Sequence, residues 1–579
     1  MPHRRRNRWQ TLVFIWAPLI YILGATGAAS QEVGSQKPVS PAAEAPRVLN
    51  VRDFGATGDG ISVDTAAIKE AVTTAAALGG GTVFFPPGKY VAGTFELLSN
   101  VTLDLEAGAV IEGSKNLADY GSIYDYGLGR DYGVNYSGEG LKVGLIVARD
   151  VKNISIIGHG AIDGNGDHFF DFSLPHNSHD YDARYTRQGQ DFMTPKYGTE
   201  SGPVEPKPEG RPGTMIILMN AKNVLLRDVT LRNAPNWTLH LANAEDALVT
   251  GIHIENNLLL PNNDGIDCIG SHNLHFSDCD IAAGDDDFAF MSSENINVTN
   301  CSMTSHSAGI RLENTRYASF DNLIIHSNRG LLVSNRGDEA TAHVLFSNII
   351  METTLITGHW WGKAEPIYIV AGASSTGKGG VRDVHFTNVT AEAESGIVIY
   401  GSPDSIIRDV TLDQIRLEIR APKPSVAQSV GGNFDLRWTA ANMATAVFKH
   451  DIPAIYCRYV DSFRIQSLKI IWGNDLPDYF SNAVECEDFH DLSATDLEGR
   501  QAFASSRSAA IVLRRGTNFS IRDSRAPKGT GVFLSLLGVT GERLFVDNDL
   551  SQARQAFQPE KAVLELHGNE MPNERNRQR

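Results

Sequence analysis

The fold class this sequence predicts is all-β, a right-handed parallel β-helix with an N-terminal capping helix, and three observations predict it. Short apolar strands recur through the middle of the chain at a nearly constant interval. Asn residues stand just ahead of many of them. One amphipathic helix precedes the whole run, and a long all-β pattern follows it.

The interval is visible when the segments VTL, IHI, CDI, CSM, LII, IIM, VTA and IRL are aligned on their last residues, Leu231, Ile254, Ile281, Met303, Ile325, Met351, Ala391 and Leu417. Neighbouring steps run from 22 to 27 residues, except for one of 40. One such step is a coil of a solenoid, and Asn223, Asn273, Asn295, Asn322, Asn348 and Asn388 mark where coils turn. The long step contains GHWWGKAEPIYIV, and a second excursion rich in Tyr, His, Asp, Gly and Pro lies between Asn165 and Pro212. Loops that leave a solenoid on one face usually carry its function, so both are read as walls of a cleft.

Taken in order, residues 1–30 read as an export signal: Arg4, Arg5, Arg6 and Arg8, then an apolar run from Thr11 to Ile22, then small residues at Gly27 to Ser30. An uncleaved anchor is the competing reading, but the run is shorter than the roughly 20 residues a membrane span prefers. A linker over 31–47 follows. The helix is expected after Asp64 as N-cap, with Ile68, Ala71, Val72 and Ala75 on its apolar face and a stop at Gly79 to Gly81. Placed there, it would cover the open strand edges of the first coil. Weaker strand patterns continue through FRIQSLKI, FHDLSATDLEG and TNFSIRDSR, so residues 48–560 are read as one domain and 561–579 as a disordered tail.

Composition narrows the function classes. The net charge of −17 argues against a nucleic-acid partner. Five cysteines without CxxC spacing make neither a disulfide scaffold nor a structural zinc site. Cys279 and Cys301 fall at equivalent places in consecutive repeats, where buried thiols are expected and a disulfide is the alternative.

The chemistry is concentrated in NNDGIDCIGSHNLHFSDCDIAAGDDDFAFMSS, Asn262 to Ser293. Asp264 and Asp267 sit in one turn, and Asp285, Asp286 and Asp287 follow about one coil later. Adjacent carboxylates repel, so folding alone gives no reason to group them; a site that shares protons among them does. Coils stack about 4.8 Å apart, which lets Asp264 converge with the later group. Cleavage of a glycosidic bond needs one protonated carboxyl to assist the leaving oxygen and one carboxylate to activate water or attack carbon. A polar turn stabilised by backbone N–H groups is the purely structural alternative.

Several segments together resemble glycoside hydrolase family 28, the polygalacturonases and related pectin-degrading enzymes of the pectin lyase-like superfamily. They are VRDFGATGDG, GHGAIDGNGDHFF, NAPNWTLHLANAEDALVTGIHIENN, NNDGID and GDDD, in that order. The resemblance implies that Asp264 (in NND, for Asn-Thr-Asp) and Asp286 hold and deprotonate water while Asp285 is the general acid, with inversion at the anomeric carbon. Asp287 stands where the family commonly has Cys. His306 in SHSAG takes the place of the Gly-His-Gly histidine but lacks its glycines, and a solvated or capped turn histidine is the alternative. The family's Arg-Ile-Lys, which contacts the substrate carboxylate, is absent: Leu332, Val333 and Ser334 occupy its place.

Arg311, Arg329, Arg336 and Lys363 are candidates for replacement charge, and an arginine fork suits a carboxylate. Trp360 and Trp361 offer flat faces for sugar rings, with Lys363 and Glu365 beside them for polar contacts; a packed loop anchor is the alternative. The resulting expectation is an exported hydrolase, secreted or periplasmic, of pectin-like polysaccharide or oligosaccharides derived from it. It would be exo-acting if the loops block one end of the cleft, and monomeric, with no cofactor, metal, nucleic-acid partner or stable membrane association after signal removal. A lyase on the same fold, binding Ca²⁺ through the aspartates, and a non-catalytic carbohydrate-binding solenoid remain as alternatives.

Overall fold

Each coil contributes three short strands, and each strand pairs in parallel with its counterpart one coil on. Thus Lys222–Arg227, Thr230–Arg232 and Leu239–Ala242 pair with Glu245–Thr250, His253–Glu255 and Ile266–Ile269. These pair in turn with His272–Ser277, Asp280–Ala283 and Phe288–Met291. The result is a right-handed parallel β-helix whose ladders join 37 strands. This computed structural model describes residues 47–126, 142–175, 181–193, 203–372, 379–439, 442–504, 508–559 and 564–572. The export signal, most of the linker and the last seven residues lie outside them, and no helix among them is long and apolar enough to cross a membrane.

Alternation along each strand builds the core. Ile266 and Cys268 point into the helix while Asp267 between them faces outward, and Ile310 and Leu312 do the same around Arg311. Inside, like residues stack on like: Phe320, Phe346 and Phe386 lie one above another with ring centroids 4.8 and 4.9 Å apart, the interstrand spacing. All six marker asparagines have positive φ, between 53° and 59°. Left-handed backbone disfavours residues with bulky Cβ substituents and suits Asn. Their side chains also bond from coil to coil, as in Asn295 to Asn273 at 3.2 Å and Asn388 to Asn348 at 2.7 Å.

Helix α1, Thr65–Ala77, forms where the spacing predicts it, with Ile68, Ala71, Val72 and Ala75 buried against the strands of the first coil. Asp64 holds the N-cap position, but its side chain does not cap. Its carboxylate turns back to accept from the N–H groups of Thr57 at 2.8 Å and Gly58 at 3.1 Å, fixing the ATGDG turn. At the other end the ladder runs past the expected boundary at 560: Glu565–His567 pairs with Thr540–Val546. Cys279 and Cys301 are buried free thiols, whereas Cys457 and Cys486, direct register partners, form a disulfide.

One excursion escaped the sequence reading. Leu417 pairs with Ile470, and between them the chain leaves the solenoid to form helix α2, Pro424–Val430, and an antiparallel hairpin of Asn433–Asp435 with Val447–Lys449. The hairpin reaches back over the central coils. Its Arg437 donates to the Trp360 carbonyl at 3.1 Å, and its Trp438 indole donates to Ser334 Oγ at 2.7 Å.

Candidate active site

Two consecutive turns carry the carboxylates. Asp264 precedes the strand Ile266–Ile269, and Asp285 to Asp287 precede its partner Phe288–Met291, so the register Ile266 to Phe288 puts one group directly over the other. The turns are fastened by Gly265 N–H to the Asp286 carbonyl and Ile266 N–H to the Asp287 carbonyl, both 2.9 Å. Glycine is required at two points: a Cβ on Gly265 would meet the Asp287 carbonyl at 2.4 Å, and one on Gly284 the Leu260 carbonyl at 2.3 Å. Asn263 is fully buried and works as a brace, accepting from Gly284 N–H at 2.7 Å and donating to the Asn257 carbonyl at 2.8 Å.

Asp264, Asp285 and Asp286 each offer a carboxylate oxygen within 4.8 Å of the others. A water with hydrogen bonds of about 2.8 Å to two carboxylates spans about that distance, so one molecule fits between any two of them. Their electrostatics differ. Asp286 accepts from Ser307 Oγ at 2.9 Å and Ala308 N–H at 3.1 Å, and its other oxygen faces Arg311 Nη1 at 3.4 Å. Asp285 accepts from Asp286 N–H at 3.1 Å and from Asn262 N–H at 3.3 Å, but burial followed by repulsion from Asp286 pushes its pKa up to about 6. Asp264 is pushed well above the carboxylate range by burial and then by Asp267. Asp267 and Asp287 are fully buried, and burial raises both of them too. Five carboxylates thus share one neighbourhood, with the buried cation Arg311 against Asp286, and protons must be distributed among them.

A cavity of about 480 Å³ opens over this group. Asp264, Asp285, Asp286, Arg311 and Trp361 line it, as the sequence predicts. So do Trp237, Ser307, Arg336, Arg437 and Trp438, which sequence reasoning did not assign to a site, apart from Arg336 as one of four possible cations. Arg437 and Trp438 come from the hairpin; the overlong step from Leu417 to Ile470 was the available signal for it. Leu332, from the segment in place of Arg-Ile-Lys, lies on the wall.

Four expectations are corrected. His306 does not line the cavity: Ser305 and Ser307 on either side bond to the Asp285 carbonyl and the Asp286 carboxylate, and at the register shift between Ser305 and Ala308 the imidazole lies edge-on to Trp360 at 5.3 Å. Burial also pushes its pKa down. Trp360 is buried and anchors the loop through its carbonyl. Glu365 is buried in an ion pair with Arg329, with both bonds at 3.2 Å. Lys363 is buried as well, donates to the Gly362 carbonyl at 2.9 Å, and is pushed down to about 8 by desolvation. In each of these last three a polar or aromatic group that reads as substrate-binding is consumed in closing the loop.

Asp264, Asp285 and Asp286 are also an oxygen set that suits a hard cation; the surface group Asp461, His490 and Asp491 offers two carboxylates and an imidazole nitrogen.

A family model described as glycosyl hydrolases family 28 matches residues 131–431, and one described as rhamnogalacturonase A/epimerase, pectate lyase-like, matches residues 48–169. A probable polygalacturonase of Vitis vinifera is 29% identical over 241 residues, covering 40% of this chain and 42% of that protein. The exo-poly-alpha-D-galacturonosidase of Dickeya chrysanthemi is 27% identical over 263 residues, 42% of each. The chain thus spans less than half the length of these relatives. Two solved structures share the fold at a TM-score of 0.50. The exopolygalacturonase of Thermotoga maritima is 18% identical, covering 73% of this chain and 92% of that one; the family 28 exopolygalacturonase of Yersinia enterocolitica is 17% identical, covering 78% of each.

Proposed function

Starting from the fact that the chain belongs to glycosyl hydrolases family 28, we propose that it is an exported hydrolase of pectin-like polysaccharide or its oligosaccharides, acting from chain ends by single displacement. The observation that carries this reading is the unequal trio of carboxylates at the cavity floor. Asp285, held near 6, keeps a proton at mildly acidic pH and gives it to the leaving glycosidic oxygen. Asp286, held in place by Ser307, Ala308 and Arg311, takes the proton of a water that Asp264 helps to hold.

Inversion rests on the family resemblance: carboxylate oxygens within 4.8 Å of one another are closer than the roughly 6.5–9.5 Å that usually separates the carboxyl groups of inverting enzymes, and the product anomer decides the point. Trp361, Trp438 and Met443 wall the cavity, which supports end-wise rather than internal cleavage. Export rests on the basic and apolar pattern of the first thirty residues. Digestion of polygalacturonate tests both finer points. Proton NMR of the first product should show the anomer opposite to the bond cleaved, and size analysis should show mono- or disaccharide from the outset. The retained anomer would replace the water by a carboxylate nucleophile, and a ladder of long products would replace end-wise action by internal cleavage.

A second reading has one observation in its favour. The three oxygens within 4.8 Å would also hold a divalent cation, as elimination by a lyase requires. Arg311, already bonded to Asp286, competes for the same charge.

A further inference from the structure

We propose that Arg336 is the residue that selects a uronate over a neutral or esterified sugar in this cavity. The inference rests on the hydrolase reading above and names the group that meets the substrate's charge. Of the four cations open as replacements for the absent Arg-Ile-Lys, the structure spends three. Arg329 is locked to Glu365 and lies 3.7 Å from the centre of the Tyr368 ring. Lys363 is buried at the root of its loop. Arg311 keeps only 10% of its side chain exposed, divided among Asp286, Glu313 and the face of Trp438 at 3.9 Å. Arg437, brought by the hairpin, is 1% exposed and bound by both oxygens of Asp435.

Arg336 shares Glu313 and Trp438 with Arg311 but differs in exposure. It lines the cavity and leaves 47% of its side chain exposed. Its backbone is clamped at both groups by Asn314, which accepts from the Arg336 N–H and donates to its carbonyl, each at 3.3 Å. Its guanidinium is positioned by Glu313, which takes Nε at 3.1 Å and Nη2 at 2.9 Å, and by Trp438, whose ring centre is 4.6 Å away. That leaves the Nη1–Nη2 edge. A guanidinium carries five N–H donors, and two parallel ones on this edge form a second fork that matches a carboxylate. Trp438, tied to Ser334 Oγ, occupies the ground that the substituted motif gives up and carries this cation on its face. A uronate carboxylate therefore meets a fork already aimed and already half neutralised by Glu313, whereas a methyl ester offers no charge and no paired oxygens.

The experiment compares wild type, Arg336→Gln and Arg336→Lys on oligogalacturonate and on its methyl ester, with thermal unfolding as a check on folding. Wild type should prefer the free acid, and Arg336→Gln should lose about 100-fold in kcat/KM on the acid, mostly through KM, with little change on the ester. Arg336→Lys, which keeps the charge and loses the fork, should fall between them. An acid-to-ester preference unchanged in a folded Arg336→Gln overturns the assignment. A wild type that cleaves the ester as well as the acid overturns the selection itself. Failure of wild type on both substrates would instead defeat the hydrolase reading on which the inference rests.

Discussion

Replacing Asp285 by Asn removes one titrating site from the most crowded region of the molecule, and its effects on activity and stability have opposite signs. In the folded protein the Asp285 carboxyl is raised from 3.8 to about 6 by burial and by Asp286. Below 3.8 it is protonated in folded and unfolded chains alike and contributes nothing. Between 3.8 and 6 the folded state holds the proton more tightly, so stability falls as pH rises; above 6 the full cost is present. Two pKa units at 1.36 kcal/mol each make that cost about 3 kcal/mol. Asn has no charge to desolvate and keeps an oxygen for one of the two N–H groups that Asp285 accepts from, Asn262 and Asp286; losing the other bond offsets about 1 kcal/mol of the gain. Asp285→Asn should therefore unfold at a higher temperature or urea concentration than wild type at pH 8, with the gap closing by pH 4, while activity falls at least 100-fold. A variant less stable than wild type at pH 8, or an offset equal at both pH values, would refute the reasoning.

Three further predictions follow from the same geometry. The rate of hydrolysis should decline as pH rises through about 6, where Asp285 loses the proton it must donate, and a profile flat to pH 8 would exclude Asp285 as the acid. Arg329→Met removes the buried cation paired with Glu365, leaving it the Lys363 N–H bond at 2.7 Å, and should destabilise by about 3 kcal/mol, measured by urea unfolding. A chelator should leave cleavage unchanged and added calcium should not raise it; metal-dependent activity would favour elimination.

The solenoid was legible because its physics is periodic. A strand every 22 to 27 residues and an Asn at many of the left-handed turns repeat often enough to be read without a structure. The carboxylates were legible for the opposite reason: Asp285, Asp286 and Asp287 break an apolar pattern that folding alone would preserve. What could not be read was the fate of side chains on excursions. Trp361 and Lys363 lie two residues apart, yet one lines the cavity and the other is buried, because the path of a loop follows no period. His306 sits at a register shift between Ser305 and Ala308, and a local irregularity of that kind, which no period reveals, sets it against Trp360. Arg437 and Trp438 belong to a hairpin far along the chain, and only tertiary folding carries them to the central coils.

The most direct test of the central claim is to digest polygalacturonate in heavy-oxygen water with wild-type protein and with Asp285→Asn, and to weigh the products. Hydrolysis by this cavity predicts one solvent oxygen at each new reducing end, formed by wild type and all but lost in the variant. Products lacking solvent oxygen and carrying a new double bond would contradict it, as would equal cleavage by the two proteins.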